Sequence, residues 1–288
     1  MEEALSTSWN LRPAILISLA MPGFLFFRGW LRLRRKGRRN FANGWRLAAY
    51  VAGLTVLAVA LLSPIDALGD FLFFMHMIEH LLLIMWAAPL LVLANPLPFL
   101  LWGLPGGRRV GVALFSRHSF IRKALQALTP RGIVLLLFVV VLWGWHDPIA
   151  YNAALRIGWL HDIEHFLFFA TGLLFWWIVI GAAPRLHRPT TPLFRVAYVM
   201  AAAAGNMIPG VVISLASAPL YAHYLSMPRV AGISAMQDQI IGGMLMWVPG
   251  TMIFLITAVL LVLRNLEHLD ARPGGLRHPI QVQTGTIG

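Results

Sequence analysis

The chain has 288 residues, of which 59% are hydrophobic and only 12% charged, with a mean hydropathy of +0.73. That balance excludes an ordinary soluble domain and points to a membrane protein. The net charge of +12 would suit a nucleic-acid binder, but the placement of the charge along the chain argues against one; the absence of cysteine excludes disulfides, thiolate zinc sites and Cys-x-x-Cys copper sites.

The opening Met1-Glu2-Glu3 lacks the basic stretch of a cleaved signal peptide, so the first apolar run reads as a retained span. Seven apolar runs follow in order, at roughly 13–31, 45–62, 71–94, 132–145, 159–182, 193–216 and 240–263. Most reach the ~20 residues that cross a ~30 Å hydrocarbon core. The expectation is an all-α integral membrane protein, a seven-transmembrane-helix bundle in one domain over 1–270, with a mobile polar tail at 271–288. The fourth run, about 21 Å of helix at ~1.5 Å per residue, falls short of the core. It therefore ends in a recess or meets a thinned bilayer.

Twenty of the 23 Lys and Arg residues fall at the first, third and fifth connections and in the tail; the other side holds only Arg12, Arg156 and Arg229. The excess of Lys and Arg on cytoplasmic loops then sets the topology: N-terminus outside, in the periplasm, and C-terminus in the cytoplasm. The basic loops orient the chain and touch anionic lipid, with no nucleic-acid partner. Residues 108–128 mix Arg and Lys with apolar positions and read as an amphipathic helix on the cytoplasmic surface. Residues 96–105 are apolar but too short to span, and read as re-entrant or interfacial.

The chemistry gathers in a motif used twice. His76-Met77-Ile78-Glu79-His80 opens the third run and His161-Asp162-Ile163-Glu164-His165 opens the fifth, 85 residues later. In H-x-x-E-H the first, fourth and fifth positions share one helix face, so each copy presents two imidazoles and a carboxylate together. With the topology above, both copies lie in the outer half of the membrane, His80 and His165 roughly 13 and 9 Å along their helices. The fourth run delivers His146 to the same side. A single intramembrane His is more often a hydrogen-bond partner between helices. Four imidazoles and two carboxylates on two helices exceed what packing needs, and point to a metal or metallocofactor site. Glu79 and Glu164 read as partners that hold imidazole N–H groups rather than as ligands.

Asp66, Asp70, Asp147, Asp162 and Asp238 fall at outer ends of the runs, so the outer mouth reads as an acidic, imidazole-rich funnel that attracts cations. Asp238 and Gln239 stand at that mouth, with Asp238 a further support for the cluster. Met75, Met77, Met244 and Met246 offer thioethers that select Cu(I), although Met is also ordinary filler. His223, between Tyr221 and Tyr224, is an open case, and His118, His187, His268 and His278 read as solvated residues on the other side. In the sixth run, Gly205-Asn206-Met207-Ile208-Pro209-Gly210 marks either a kink beside a cavity or a close helix contact, with Asn206 in need of a partner.

Together, His76-Met77-x-x-His80 followed by Pro89-Leu90-Leu91, Trp145-His146-x-Pro148-x-x-Tyr151, His161-x-x-Glu164-His165 with Phe175-Trp176-Trp177, Pro219-Leu220-Tyr221-x-x-Tyr224 and Gln239-x-x-Gly242 leading to Trp247-Val248-Pro249-Gly250 resemble the polytopic CtaG-type family of cytochrome c oxidase assembly factors. The resemblance implies a multi-pass protein of the bacterial inner membrane, without catalytic activity of its own, needed to make an active haem–copper oxidase. It implies copper as the metal, with His76, His80, His146, His161 and His165 as ligands, an oxidase subunit as recipient and a periplasmic copper donor. The residues alone leave three other readings. Facing imidazoles could hold haem. The acidic funnel and broken sixth run could serve a cation or proton transporter. H-x-x-E-H is also the motif of inverted zincins, which makes a zinc-dependent membrane hydrolase the third alternative.

Overall fold

The computed structural model describes residues 8–116, 118–230 and 232–270, which form helices and connections and contain no strand. In chain order the helices are α1 (Pro13–Arg35), α2 (Gly44–Leu62), α3 (Pro64–Gly69), α4 (Phe73–Leu93), α5 (Pro96–Gly103), α6 (Gly107–Phe115), α7 (Phe120–Leu128), α8 (Arg131–Trp145), α9 (Pro148–Arg156), α10 (Gly158–Ile180), α11 (Pro192–Ser214), α12 (Ala222–Ser226) and α13 (Ala235–Asp270). The tail expected to be mobile, 271–288, lies outside the described residues.

Local chemistry explains where most of these helices begin. Proline stands in the first turn of α1, α3, α5, α9 and α11, where its missing N–H costs nothing. Asn43, Ser63, Ser119, Asp147 and Thr191 accept hydrogen bonds from the first-turn N–H groups of α2, α3, α7, α9 and α11.

Six of the helices, α1, α2, α4, α10, α11 and α13, are long and apolar enough to cross a membrane. The fourth run of the sequence behaves differently. Its helix α8 has 15 residues and follows α7 through a 59° bend, so it counts as a seventh crossing only as part of a bent pair. The amphipathic stretch at 108–128 is likewise not one helix: it divides into α6 and α7 around the 116–119 connection, where Ser119 caps α7. The short apolar segment after α4 forms α5 and packs back on α1. A Cβ on Gly29 would lie 1.9 Å from the Phe99 carbonyl oxygen, and one on Gly103 2.1 Å from that of Leu25, so only glycine permits the approach. Arg32 then donates to the carbonyls of Trp102, Gly103 and Leu104 at the end of α5.

Two devices set the helices that carry the chemistry. First, α4 contains a π-helical turn over Leu82–Ala87, immediately after His80. Ala88 N–H reaches back to the Leu83 carbonyl, and the next position is Pro89, which has no N–H to offer the Ile84 carbonyl. The Trp176 indole of α10 donates to that carbonyl instead, at 2.8 Å. Second, α11 and α13 touch through glycine. A Cβ on Gly243 would meet the Ser214 nitrogen at 2.7 Å, and one on Gly210 the Trp247 Cβ at 2.9 Å. Asn206 finds its partner in the same contact, donating to the Met246 carbonyl at 2.9 Å beside Pro249. The motif around Pro209 thus serves close packing, and α11 continues through it.

Below the histidines, Phe138, Phe175, Trp176, Tyr198 and Phe254 form an aromatic core, with Phe175 and Tyr198 stacked at 5.4 Å. Ile17, Leu136, Val212 and Val259 remain exposed on the outer faces of α1, α8, α11 and α13, as a lipid-facing surface requires.

Gly243→Ala is expected to destabilise the protein by about 1–3 kcal/mol through overpacking against backbone. Gly132→Ala, where no atom lies within 4 Å, should leave stability unchanged. Thermal unfolding in detergent checks the pair.

Candidate metal centre

The two copies of H-x-x-E-H face each other across α4 and α10. His76 and His80, one turn apart, bring their Nε2 atoms to 2.8 Å. Ring centroids of His76 and His161 are 5.1 Å apart, and those of His80 and His165 5.3 Å. Each carboxylate serves the other helix. Glu164 places its oxygens 3.6 Å from His80 Nε2 and 3.9 Å from His76 Nε2, while Glu79 Oε1 lies 3.3 Å from His165 Nδ1. Three sets of potential ligand atoms lie within 4.8 Å of one another: His76, His80 and His165; His76, His161 and Glu164; Glu79, His161 and His165.

His76, Glu79 and Glu164 have no exposed surface, and His80 and His165 are nearly as deep. Among the described residues, both oxygens of Glu79 and Glu164, both ring nitrogens of His165, Nδ1 of His76 and His80 and Nε2 of His161 are buried without a hydrogen-bond partner. An unsatisfied buried polar atom costs about 1–3 kcal/mol, and a protein's whole margin of stability is only about 5–15 kcal/mol. A concentration of orphans on this scale needs partners. The group set, all acceptors and imidazoles, fits a cation held by imidazole nitrogens with carboxylates beside it. The ring nitrogens and carboxylates also match the pattern in which a metal-bound His gives its second N–H to an acidic group.

The remaining predicted residues are placed otherwise. His146, at the C-terminal end of α8, is buried, but none of the converging sets includes it. Its Nδ1 lies 2.6 Å from the Leu142 carbonyl, its ring centroid is 5.7 Å from that of His80, and its Nε2 has no partner. Asp238 supports the cluster through the backbone rather than an imidazole. Its two oxygens accept from the N–H groups of Phe73 and Phe74, at 2.8 and 2.9 Å, and so cap the helix that carries His76 and His80. Gln239 is taken up by backbone, accepting from Leu220 N–H and donating to the Ile213 carbonyl. His223 stands outside the cluster, with Nε2 2.9 Å from the Asp70 carbonyl. His187 lies against Thr129 at 3.1 Å.

The outer mouth also differs from the expected funnel. Arg12, the residue just before α1, bonds Asp162 at 2.6 Å and lies 3.8 Å from Asp66, which also accepts from Asn10. Part of the acidic charge is therefore already paired. Over the cluster lies an aromatic layer of Phe73, Tyr151, Tyr221 and Tyr224. Tyr151 and Tyr224 share a hydrogen bond of 2.9 Å, and Tyr221 donates to the His146 carbonyl at 3.0 Å. Burial pushes the Tyr151 and Tyr224 hydroxyls well above the ordinary tyrosine value, so they remain neutral. Tyr151, Tyr221 and Tyr224 stand in the motifs of the sequence, but spacing alone does not bring them, or Arg12, together over the cluster.

Helices with exposed apolar faces around a buried His/Glu cluster define a multi-pass membrane protein with a site suited to a cation. A family model for the cytochrome c oxidase caa3 assembly factor (Caa3_CtaG) matches residues 24–268, and the chain belongs to that family. Among curated proteins it is similar to an uncharacterised protein of Mycobacterium leprae, 26% identical over 84% of this chain and 37% of that protein. Uncharacterised proteins of Mycobacterium bovis and Mycobacterium tuberculosis are each 28% identical over 76% of this chain and 33% of their own length. The chain thus spans about a third of the length of these relatives. No solved structure matches.

Glu79→Gln and Glu164→Gln are expected to lower the affinity of the purified protein for copper or zinc about 10–100-fold, the usual effect of removing an acidic partner from a metal-bound imidazole. Competition with a calibrated chelator measures this, and unchanged affinity would show that the carboxylates do not serve the metal.

Proposed function

We propose that this protein assembles a haem–copper cytochrome c oxidase by binding copper at the outer face of the bacterial inner membrane and passing it to an oxidase subunit. Copper is cargo here, not a resident cofactor. The observation that carries the reading is the reciprocal His/Glu cluster with its unpartnered nitrogens and oxygens. His76, His80, His161 and His165 would hold the ion, with His146 a neighbouring ligand and Glu79 and Glu164 as supports. Imidazoles in excess of the four ligands a metal commonly takes allow one to leave while another arrives, which transfer requires. The recipient is an oxidase subunit, supplied in turn by a periplasmic copper donor. In this reading α7 and α8 complete a seventh crossing of a single domain, with the N-terminus periplasmic and the C-terminus cytoplasmic.

The geometry favours a bare ion over a macrocycle, since the imidazoles of His76, His80, His161 and His165 pack against one another at centroid distances of 4.1–5.3 Å. It also counts against a hydrolase: both glutamates are fully buried and face the imidazoles of the opposite motif, which leaves no room for a substrate beside either carboxylate.

Two measurements test the proposal. Detergent-purified protein should carry or take up about one copper or more, and His80→Ala/His165→Ala should abolish it and fail to restore oxidase activity in a deletion strain. Absence of copper binding by the wild-type chain, loaded with Cu(I) or Cu(II), would overturn the reading. Reporter fusions should place the C-terminus in the cytoplasm; an external C-terminus would reverse the face on which copper is met.

A further inference from the structure

Next to the cluster, deeper along α4, lies a small cavity of about 20 Å³ lined by Met77, Met85, Met246, His80, His146 and Asn206, with apolar side chains between them. Its chemistry differs from that of the cluster. It offers three thioethers, all buried, and no carboxylate. His146 is prepared for ligation there. A neutral imidazole with Nδ1–H donated to the Leu142 carbonyl keeps its lone pair on Nε2, and this nitrogen is buried without a partner. Hydrogen bonding of the far nitrogen to a backbone carbonyl is the usual setting of a metal-bound His. The Tyr221 hydroxyl, bonded to the His146 carbonyl, holds the residue from the other side.

The π-helical turn contributes the third sulfur. A π turn holds an extra residue, so the chain after Leu81 is rotated back and Met85 comes to line the same cavity as Met77 and His80. Met75 and Met244 do not line it, and Met244 is 47% exposed. The cavity is large enough for one water-sized sphere, and the unpartnered nitrogens of His80 and His146 are the polar groups that face it, the Asn206 amide nitrogen being bonded to the Met246 carbonyl. Three thioethers beside two imidazoles make a donor set that selects Cu(I).

We propose that Met77, Met85 and Met246 with His146 Nε2 form a second, soft-ligand position for Cu(I), joined to the His/Glu cluster through His80. His80 belongs to both: its Nε2 faces His76 and Glu164, its Nδ1 is buried without a partner, and its ring lines the cavity. An ion can thus pass between the two positions by ligand exchange at one residue, with no change of oxidation state. The inference rests on the copper reading above and adds that the protein holds the reduced ion on sulfur.

The test is X-ray absorption at the copper edge on the full-length protein loaded anaerobically with Cu(I), beside a Met85→Leu/Met246→Leu variant that conserves side-chain volume. The wild type should show sulfur together with nitrogen around copper. The variant should lose most of the sulfur signal and weaken Cu(I) binding by at least roughly tenfold, a scale on which even supporting groups change metal affinity, while Cu(II) binding to the histidines persists. Copper bound by nitrogen and oxygen alone, or a sulfur signal undiminished in the variant, would overturn the second position and leave the cluster standing. Failure to bind copper in either oxidation state would overturn both.

Discussion

Everything about this molecule turns on two glutamates and three histidines buried between α4 and α10, with His161 half-buried beside them, each carboxylate facing imidazole of the opposite helix. Such groups are costly in a low-dielectric interior unless they are paired or coordinate a cation. Their cost makes the relative placement of the two helices exacting, because a small slide would separate carboxylate from imidazole.

The rest of the fold holds that placement. Asp238 of α13 caps the start of α4 just ahead of His76, and the Trp176 indole of α10 bonds the Ile84 carbonyl within the π turn. The histidine face of α4 is therefore fixed from both ends, once by α13 and once by α10. Gly242 lets α13 approach Phe73 of α4, Gly243 and Gly210 let it approach α11, and Met246 of α13 lines the cavity beside His80. Without those contacts the last helix could still pack, but at a distance that larger side chains would set.

The aromatic layer bears on access to the cluster. Neutral tyrosines hydrogen-bonded to one another, with Phe73 stacked on Tyr221 at 4.8 Å, cover the cluster, and Arg12 clasps Asp66 and Asp162 at its edge. This side presents hydrogen bonds and two ion pairs of Arg12, an exposed one with Asp162 and a longer one with the buried Asp66, rather than a continuous charged funnel. An exposed ion pair is weak, generally under ~1 kcal/mol, so the Asp162 contact adds little to the stability of this edge.

The amino-acid sequence by itself determined the helical membrane class, six long apolar helices, and the repetition of H-x-x-E-H, because each of these depends on periodicity or spacing within a single helix. It showed the fourth run to be short, but not that α8 is joined to α7 by a bend, since composition shows apolar length and not direction. Nor did it place the partners of the cluster. Asp238 reads as a group at the mouth until the N–H groups of Phe73 and Phe74, 165 and 164 positions earlier, are seen to take up its carboxylate. His146 reads as a fifth member of the cluster, and only the fold shows its Nδ1 at the Leu142 carbonyl and its side chain lining a cavity shared with three methionines. Met85 is indistinguishable from filler until the π turn beside Pro89 rotates it toward His80. Each of these was decided only in the tertiary structure, because it depends on contacts between helices far apart in the chain or on a change of helical register that local pattern does not encode.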